Sequence, residues 1–383
     1  MKHNEMKKIL QENLMAHPGY LQNTMEAIIQ EAIIQQFNKF IGAEAYERTD
    51  QRHGLRNGTY ERKIKTRVGT ITLKVCRDRD GLFQQEVFEK YQRSEKALMI
   101  AIIEMYLNGV STRKVSAIVE ELCGFSISKS TVSELTKKID VDQKIWRTRA
   151  LTEVYQYLVV DARYEKVREN GHVVSKAFVT IIGITVECER EIIGTWVINS
   201  ESFEEWDACF AELIDRGLFG VKYVVSDENK GLVRAIAKRF QGAKWQRCQV
   251  HFMRNFLSKI SASEKNEGIK LLQDLFAAPS KEEALKRVSP LRDFLLKQKK
   301  ENVAQWLEDS IEDTLAVYSL PEEHRTKMKS TNMVERLNEE MKRRSRVVRI
   351  FPNEQSCLRL LTAVCQEISE DWDEKPYLPK VET

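Results

Sequence analysis

The sequence of 383 residues lacks a hydrophobic run long enough to cross a membrane. Its longest purely apolar run near the front covers residues 97–103, whereas a spanning helix needs about 20 apolar residues. The first residues lead into no signal-peptide core. The seven cysteines are odd in number and form no CxxC pair, which does not favour a disulfide framework. These absences predict a reduced intracellular protein without a membrane segment.

A strong net charge is also absent, because the chain carries only +4 at pH 7. Binding to nucleic acid would therefore depend on where the basic residues cluster. One cluster lies between Arg52 and Asp80, where nine basic residues stand against three acidic ones, a local excess of +6. No internal repeat or low-complexity segment is visible.

Two β-like runs occupy this basic segment, at residues 60–66 and 70–75, and a hairpin turn is predicted between them at Val68-Gly69. A basic β-ribbon can follow a phosphate backbone. The alternative is a basic edge strand that resists aggregation. The candidate DNA contacts of this segment are Arg56, Arg62, Lys65 and Arg67.

Helices are expected on both sides of the hairpin. Residues 1–50 carry an apolar stripe that would pack against either a partner subunit or the next segment of the chain. Its members are Leu21, Met25, Ile28, Ile29, Ile33, Phe37 and Ile41.

Three short helices are expected between residues 94 and 146. Ser111 is a suitable cap for the second helix, Gly124 would end it, and the third begins at Lys129. Two short helices around a glycine-containing turn favour a helix-turn-helix, and an ordinary pair in an all-α domain is the alternative. The candidate DNA contacts here are Arg113, Lys129, Ser130 and Thr131.

Strand patterns begin near residue 154 and predict a mixed sheet with helices on its faces. Three successive strands are followed by strand–helix units, and residues 252–327 form a long helical stretch before the sheet domain resumes. The expected strands are residues 155–160, 177–186, 191–198, 221–225 and 245–250.

Two carboxylates, Asp161 and Asp227, follow strands that are expected to be buried. They would converge if these strands are parallel neighbours. Glu335 is a third acid, on a helix whose later turns are basic. Packed carboxylates require a cation, and oxygen ligands suit Mg²⁺ or Mn²⁺. Two such ions about 3.5–4 Å apart activate a nucleophile and stabilise the leaving oxygen in displacement at phosphorus. The basic residues that would hold DNA beside them are Lys342, Arg343, Arg344 and Arg346.

Each acid has a structural alternative. Asp227 would cap the following helix, Asp161 would be a turn residue, and Glu335 would complete a capping box with Asn332. The basic run would then be a solvated helix face.

Cys248 and His251 form half of a possible zinc site, but no second Cys/His pair has suitable spacing. The pair would support the acids from the end of a strand, or it would be a core cysteine and a surface histidine.

Several stretches resemble the Mutator-type transposases of bacterial insertion sequences, and they cover nearly the whole chain. Upstream segments at residues 56–58, 68–69 and 109–113 resemble the same family, while Cys76 stands where its members have proline. The main stretches are residues 159–168 around Asp161, 225–232 around Asp227, 246–255 with Cys248 and His251, and 331–344 with Glu335, followed by 350–353.

The resemblance implies a ribonuclease-H-like core in which Asp161, Asp227 and Glu335 form a DDE triad with an α-helical insertion before the glutamate. It implies binding of the element's terminal inverted repeats, metal-dependent strand cleavage, strand transfer into target DNA, and movement through a circular copy. It also marks Cys248 and His251 as a family signature without giving their role.

We therefore expect a multidomain α/β (α+β) transposase of the bacterial cytoplasm that acts on double-stranded DNA with Mg²⁺ or Mn²⁺. Two ends must be held together, which favours a homodimer or a larger assembly. A non-catalytic helix-turn-helix regulator and a ribonuclease-H-like nuclease without joining activity are the alternatives. The expected regions are a helical segment (1–50), the basic hairpin (51–93), the helix-turn-helix (94–150), the core (151–251), the helical insertion (252–327) and the second part of the core with the basic helix (328–383).

Overall fold

The computed structural model describes residues 19–85, 96–372 and 376–380. The chain forms two compact units, residues 1–138 and 139–383. Parts of the expected helical segment (1–18), of the basic segment (86–93) and of the acidic tail (373–375 and 381–383) lie outside the described residues. The sixfold division expected from the sequence stays a prediction.

A long helix and a β-hairpin form the first part of unit 1. Helix α1 (Tyr20–Ile41) ends at Gly42, where a φ of 74° suits glycine. Strands β1 (Arg56–Thr66) and β2 (Gly69–Asp78) are antiparallel and pair up to Thr66 and Gly69. The predicted hairpin is confirmed, but the helix ends at residue 41 and not near residue 50.

The apolar stripe of α1 packs in part against this hairpin. Ile33 shares a buried cluster with Ile64, Ile71 and Leu73. In addition, the Gln30 side-chain amide donates a hydrogen bond to the Lys74 carbonyl and accepts one from the Lys74 N–H, at the outer edge of β2. The next segment of the chain therefore covers the second half of the stripe. Its first half stays open, since Leu21 is 49% and Ile28 65% exposed.

Three helices complete the described part of unit 1: α2 (Lys96–Leu107), α3 (Thr112–Cys123) and α4 (Lys129–Lys137). The Ser111 Oγ accepts a hydrogen bond from Lys114 N, as predicted, and the Ser128 Oγ caps α4 in the same way. Their shared core consists of Leu98, Ile102, Val115, Val119, Cys123, Ile127 and Val132.

A mixed five-stranded sheet is the centre of unit 2. Its strands are β3 (Tyr155–Glu169), β4 (His172–Thr185), β5 (Arg190–Ile198), β6 (Tyr223–Ser226) and β7 (Lys244–Arg247). In the sheet they lie in the order β5-β4-β3-β6-β7. Strand β4 is antiparallel to β3 and β5, whereas β3, β6 and β7 are parallel. The mixed sheet is thus confirmed.

Helices cover both faces of this sheet. On one face, Trp206 and Phe210 of α6 (Phe203–Asp215) and Leu232 of α7 (Lys230–Arg239) pack into the main core. On the other face, α15 (Glu354–Trp372) contacts β5 through the Thr195–Thr362 hydroxyl pair at 3.1 Å. Helix α5 (Ile139–Arg147), which comes before β3 in the chain, packs on α15. Arg359 Nε of α15 donates a hydrogen bond to Asp140 Oδ1 of α5 at 2.6 Å.

The predicted helical stretch between the sheet and Glu335 is confirmed. It has its own core around Phe252, Phe256, Leu291 and Leu307. Its α-helices are α8 (Gln249–Lys259), α9 (Lys265–Phe276), α10 (Lys281–Lys286), α11 (Val288–Lys297), α12 (Glu301–Ser310) and α13 (Glu322–Met328), with 3-10 turns at Glu312–Thr314 and Ala316–Ser319; α14 (Asn332–Val348) follows.

Several strand boundaries differ from the sequence prediction, among them the start of β4 at His172, and two of the differences affect the candidate site. Strand β3 does not end at Asp161 but continues to Glu169, because residues 161–169 remain paired with β4. Strand β7 ends at Arg247, so that His251 lies in the first turn of α8. No helix among the described residues is long and apolar enough to cross a membrane.

Candidate active site

The sheet register brings Asp161 and Asp227 to equivalent positions. Strands β3 and β6 are parallel neighbours, and their last registered pair is Val159 with Val225. Each aspartate follows its valine by two residues. Beyond this pair β6 ends, while β3 continues beside β4 only. The two carboxylates therefore lie just past the end of the parallel pairing between β3 and β6. Neither acts in the alternative way: Asn229, not Asp227, caps α7, and Asp161 lies within a strand.

The Asp161 carboxylate is also tied to α14. Its Oδ2 accepts a hydrogen bond from Asn338 Nδ2 at 2.6 Å, and Arg163 of the same strand donates to the Asn338 carbonyl at 2.6 Å. Burial raises the pKa of Asp161 to about 6; His251 and the Asn338 bond lower it, and the charge of Asp227 raises it. The two aspartates are thus close enough to repel.

Glu335 lies in the first turn of α14, one turn before Asn338. Thr331 precedes this helix and no side chain caps it, so the alternative interpretation of Glu335, a capping box with Asn332, does not hold. Glu335 Oε1 is buried without an accepted hydrogen bond, and Arg254 NH2 forms an ion pair with it at 2.8 Å. Arg254 is the cation beside the third acid.

No three His, Cys, Asp or Glu side chains in the described ranges are arranged closely enough to hold a metal ion. In the candidate site, Asp161 and Asp227 interact with each other, whereas Glu335 pairs with the guanidinium of Arg254. The side chain of Arg254 is 60% exposed, and a pair this accessible contributes about 0–1 kcal/mol. A divalent cation can therefore displace it. Three anionic oxygen donors suit Mg²⁺ or Mn²⁺.

Cys248 connects the segments that carry the acids. Its backbone N–H donates to Ser226 O at 2.8 Å, beside Asp227. Its Sγ accepts from the N–H and the hydroxyl of Thr331, at 3.3 and 3.4 Å, at the start of the Glu335 helix. Burial raises the pKa of the thiol, but the contacts with His251 and Thr331 outweigh it and leave this pKa below its ordinary value.

His251 lies between this thiol and the aspartates. Its contact with Cys248 is the largest cause that raises the pKa of the imidazole to about 9; burial opposes this, and the charges of Asp227 and Asp161 add to it. The contact with Cys248 and the charges of both aspartates thus favour the protonated form of the imidazole. The structure brings the two signature residues next to the carboxylates, and their role stays a prediction.

Comparison with known proteins relates this chain to one family. The family model described as "Transposase, Mutator family" matches residues 1–375. The chain belongs to the Mutator family of transposases. It is 45% identical over 357 residues to the transposase for insertion sequence element IS256 in transposon Tn4001 of Staphylococcus aureus, covering 91% of this chain and 90% of that protein. It is 43% identical over 363 residues to the ISRM5 transposase of Rhizobium meliloti (strain 1021), covering 94% and 90%. It is 34% identical over 373 residues to the IS1081 transposase of Mycobacterium tuberculosis (strain ATCC 25618 / H37Rv), covering 97% and 90%.

The basic residues of α14 in this Mutator-family transposase differ in their exposure and in their ion-pair partners. Lys342 and Arg346 are exposed. Arg343 is exposed too, but it pairs with Glu340 at 2.6 Å. Arg344 is only 7% exposed and lies 3.5 Å from Glu367 of α15, so its position favours a structural contact over a phosphate contact.

The DNA-contact candidates in unit 1 also divide into two groups. Arg56 donates to Asn38 Oδ1 and Ala43 O at 2.8 and 2.7 Å, which fixes the end of α1 to the hairpin. Lys65 lies over the Phe125 ring and donates to Ser126 O at 3.2 Å. Arg62 and Arg67 have partners within the protein. Exposed candidates are Arg113, Lys129, Ser130 and Thr131.

Sequence reasoning missed several residues around the acids. Asn338 follows Glu335 by one helical turn, a spacing that could have indicated a shared helix face. Arg247 is completely buried, pairs with Glu228 and lies over the Phe252 ring. Glu201 also faces this region: burial raises its pKa, Tyr164 lowers it, and Asp227 raises it. No local pattern distinguishes Arg247 or Glu201 from surface charges.

Proposed function

We propose that this Mutator-family protein is a DDE transposase that cuts and joins double-stranded DNA at Asp161, Asp227 and Glu335. The observation that carries the proposal is the matched register of Asp161 and Asp227 on adjacent parallel strands, with the Glu335 helix tied to Asp161 through Asn338. The strand order β5-β4-β3-β6-β7, with the helical stretch between β7 and Glu335, supports a ribonuclease-H-like core.

The three carboxylates would hold Mg²⁺ or Mn²⁺, in a two-ion arrangement of the kind used for in-line displacement at phosphorus. Divalent metal supplies charge neutralisation and Lewis acidity at the scissile phosphate. Asn338 orients Asp161, and the His251 cation balances the aspartates before DNA binds. To bind the same metal ions as the two aspartates, Glu335 would release its ion-pair partner Arg254. Arg254, at 60% exposure, can then turn toward a DNA phosphate.

Cleavage requires attack of a water oxygen on the phosphorus at the element's end, with loss of the 3′ oxygen as a free hydroxyl. Joining repeats the displacement, with a DNA 3′-OH as nucleophile and the target's 3′ oxygen as leaving group. Both steps are phosphoryl transfers, so the protein contributes positioning and positive charge. The exposed Lys342 and Arg346 on α14 would hold the phosphates that flank the reacting one.

Unit 1 would recognise the terminal inverted repeats. The exposed N-terminal turn of α4 presents Lys129, Ser130 and Thr131, and Arg113 is exposed on α3. This is the end of a recognition helix that meets base edges in helix-turn-helix proteins. The transposase would act as a homodimer or larger assembly, since two ends must be joined, and it would move its element through a circular copy in the bacterial cytoplasm.

The decisive assay uses the full chain and a labelled duplex that carries one terminal repeat. With Mg²⁺ or Mn²⁺ we expect a nick at the repeat end and a second product in which its 3′-OH is linked to target DNA. If the protein binds the duplex but cuts it with neither Mg²⁺ nor Mn²⁺, it is a DNA-binding regulator. If it hydrolyses the DNA without forming the linked product, it is a nuclease. Either result would contradict the proposal.

A further inference from the structure

A cavity in unit 2 lies against the face of α14 that carries Arg336. It has a volume of about 600 Å³ and is lined by residues from β5, α13, α14, the end of α15 and the segment after it. This volume is in the usual range of about 300–1,000 Å³ for a ligand site. The residues that determine its chemistry are Arg190, Lys327, Arg336, Trp372 and Tyr377.

Positive charge accumulates in this cavity. The charged neighbours that affect Arg190 are Tyr377 and Arg336, with no carboxylate among them, and Arg190 Nε is buried without a hydrogen-bond partner. The described lining contains one acid, Glu340, which pairs with Arg343. Burial lowers the pKa of Arg190; Tyr377 raises it, and the charge of Arg336 lowers it. The two guanidinium groups therefore face the same space.

Aromatic rings form the remaining wall. The Arg190 guanidinium carbon lies 4.1 Å from the Trp372 ring centroid and 4.8 Å from that of Tyr377. Lys327 Nζ lies 4.6 Å from the Tyr377 centroid. Like charges crowded in this way are destabilising unless an anion lies between them, and arginine is the preferred partner for phosphate. Arginines combined with aromatic rings suit a nucleotide, whose phosphate is anionic and whose base stacks.

The position of the cavity favours a nucleotide within DNA over a free one. Arg336 follows Glu335 directly, so successive residues of one helix turn would face the reacting phosphate and this cavity. We propose that the cavity holds one nucleotide of the DNA strand that enters the active site, with its phosphate on Arg190 and Arg336 and its base or sugar against Trp372. This inference rests on the proposed function.

Salt-dependent binding of the full-length protein to end DNA in EDTA tests the inference. The variants are Arg190→Gln and Arg336→Gln, and Arg292→Gln is the matched control because Arg292 already pairs with Asp293 and Glu308. Each phosphate contact removed should lower the slope of log K against log salt by roughly one. The control should keep the wild-type slope. Arg336 is exposed, so its variant remains informative even if Arg190→Gln melts early.

A second arm locates the nucleotide. End duplexes that carry 5-bromodeoxyuridine at successive positions are irradiated, and cross-linked peptides are identified by mass spectrometry. We expect one position near the cleavage site to label the peptide that contains Trp372 or Tyr377. A wild-type slope in Arg336→Gln, or no such cross-link at any position, would overturn the inference. If thymidine monophosphate quenches the tryptophan fluorescence while the variants keep the wild-type slope of log K against log salt, the inference is also overturned. The cavity would then bind a free nucleotide and not a nucleotide of the DNA strand.

The two proposals fail in different ways. If the wild-type protein binds and cuts end DNA while these variants behave like the control, only the cavity assignment is wrong. If the wild-type protein neither prefers nor cuts end DNA, the proposed function itself is wrong.

Discussion

Replacement of Asp161 by asparagine should stabilise the metal-free protein at neutral pH. The carboxyl is raised from a pKa of 3.8 to about 6 in the folded state. Since each pKa unit corresponds to about 1.36 kcal/mol, ionisation of Asp161 costs the folded protein about 3 kcal/mol as an upper bound. An asparagine side chain can still accept the Asn338 hydrogen bond, and it removes the charge that Asp227 opposes.

The sign of this effect depends on pH. Below pH 3.8 Asp161 is protonated in both states and contributes no difference; from there to about pH 6 only the unfolded chain releases its proton, so wild-type stability falls. Above that range the full cost is present. The gain from Asp161→Asn should therefore be near zero at pH 4, should grow up to about pH 6, and should stay constant above it.

Urea unfolding in EDTA across this pH range, followed by a probe in unit 2, measures the gain directly. Added Mg²⁺ should stabilise the wild type but not the variant, because a ligand that binds only the folded state adds stability. Asp371→Asn, an exposed site on α15, is a suitable control. An Asp161→Asn protein that is less stable than the wild type at pH 7, or a gain that is the same at pH 4, would refute the reasoning.

Three further predictions concern other parts of the chain. Arg254→Gln should lower the Mg²⁺ concentration for half-maximal cleavage by up to about fivefold, because an exposed pair with Glu335 costs the metal at most about 1 kcal/mol to displace; a higher requirement in a Mg²⁺ titration would contradict this. Arg344→Ala should lower unit 2 stability by roughly 1–2 kcal/mol through lost packing, whereas Lys342→Ala should leave the melting temperature unchanged and weaken DNA binding; equal melting of the two variants would count against the assignment. A fragment of residues 1–138 should bind the terminal repeats with a steep salt dependence, and Thr131→Ala should change its preference between sequences; gel shifts without preference for repeat over random DNA would remove unit 1 from end recognition.

The boundary of that fragment follows from the structure. The sequence places the end of the DNA-binding region near residue 150, but helix α5 belongs to unit 2. Its Asp140 pairs with Arg359, and its Gln143 side chain donates to the Arg359 carbonyl at 2.7 Å. A fragment cut at residue 150 would carry this helix without the surface that it packs on.

Local patterns were sufficient for much of this fold. A serine cap, a glycine at a helix end and a two-residue turn predicted α3 and the hairpin, because these signals act within a few residues. The convergence of Asp161 and Asp227 was also predictable, since side chains after neighbouring parallel strands meet at one edge. Glu335 was the third candidate because it lies on a basic helix, and the family resemblance then implied that the three acids form one triad.

Long-range contacts decided what the sequence could not predict. Strand β3 continues past Asp161 because β4 supplies its hydrogen bonds. Arg344 is buried because α15 packs beside α14, and Arg247 is buried because the rings of Phe252 and Trp306 lie over its guanidinium. The Arg254–Glu335 pair likewise joins residues that are far apart in sequence. In local pattern, Arg247, Arg254 and Arg344 do not differ from ordinary exposed charges.

The central claim is that Asp161, Asp227 and Glu335 together hold the metal that cuts DNA. Its most direct test is Mn²⁺ binding, measured by electron paramagnetic resonance, alongside cleavage of an end substrate by Asp161→Asn, Asp227→Asn and Glu335→Gln. Each variant should lose tight Mn²⁺ binding and nearly all cleavage while it still folds and binds end DNA, because a metal centre acts as a unit. A folded, DNA-binding variant of any of the three that keeps wild-type Mn²⁺ affinity and still nicks its substrate would contradict the claim.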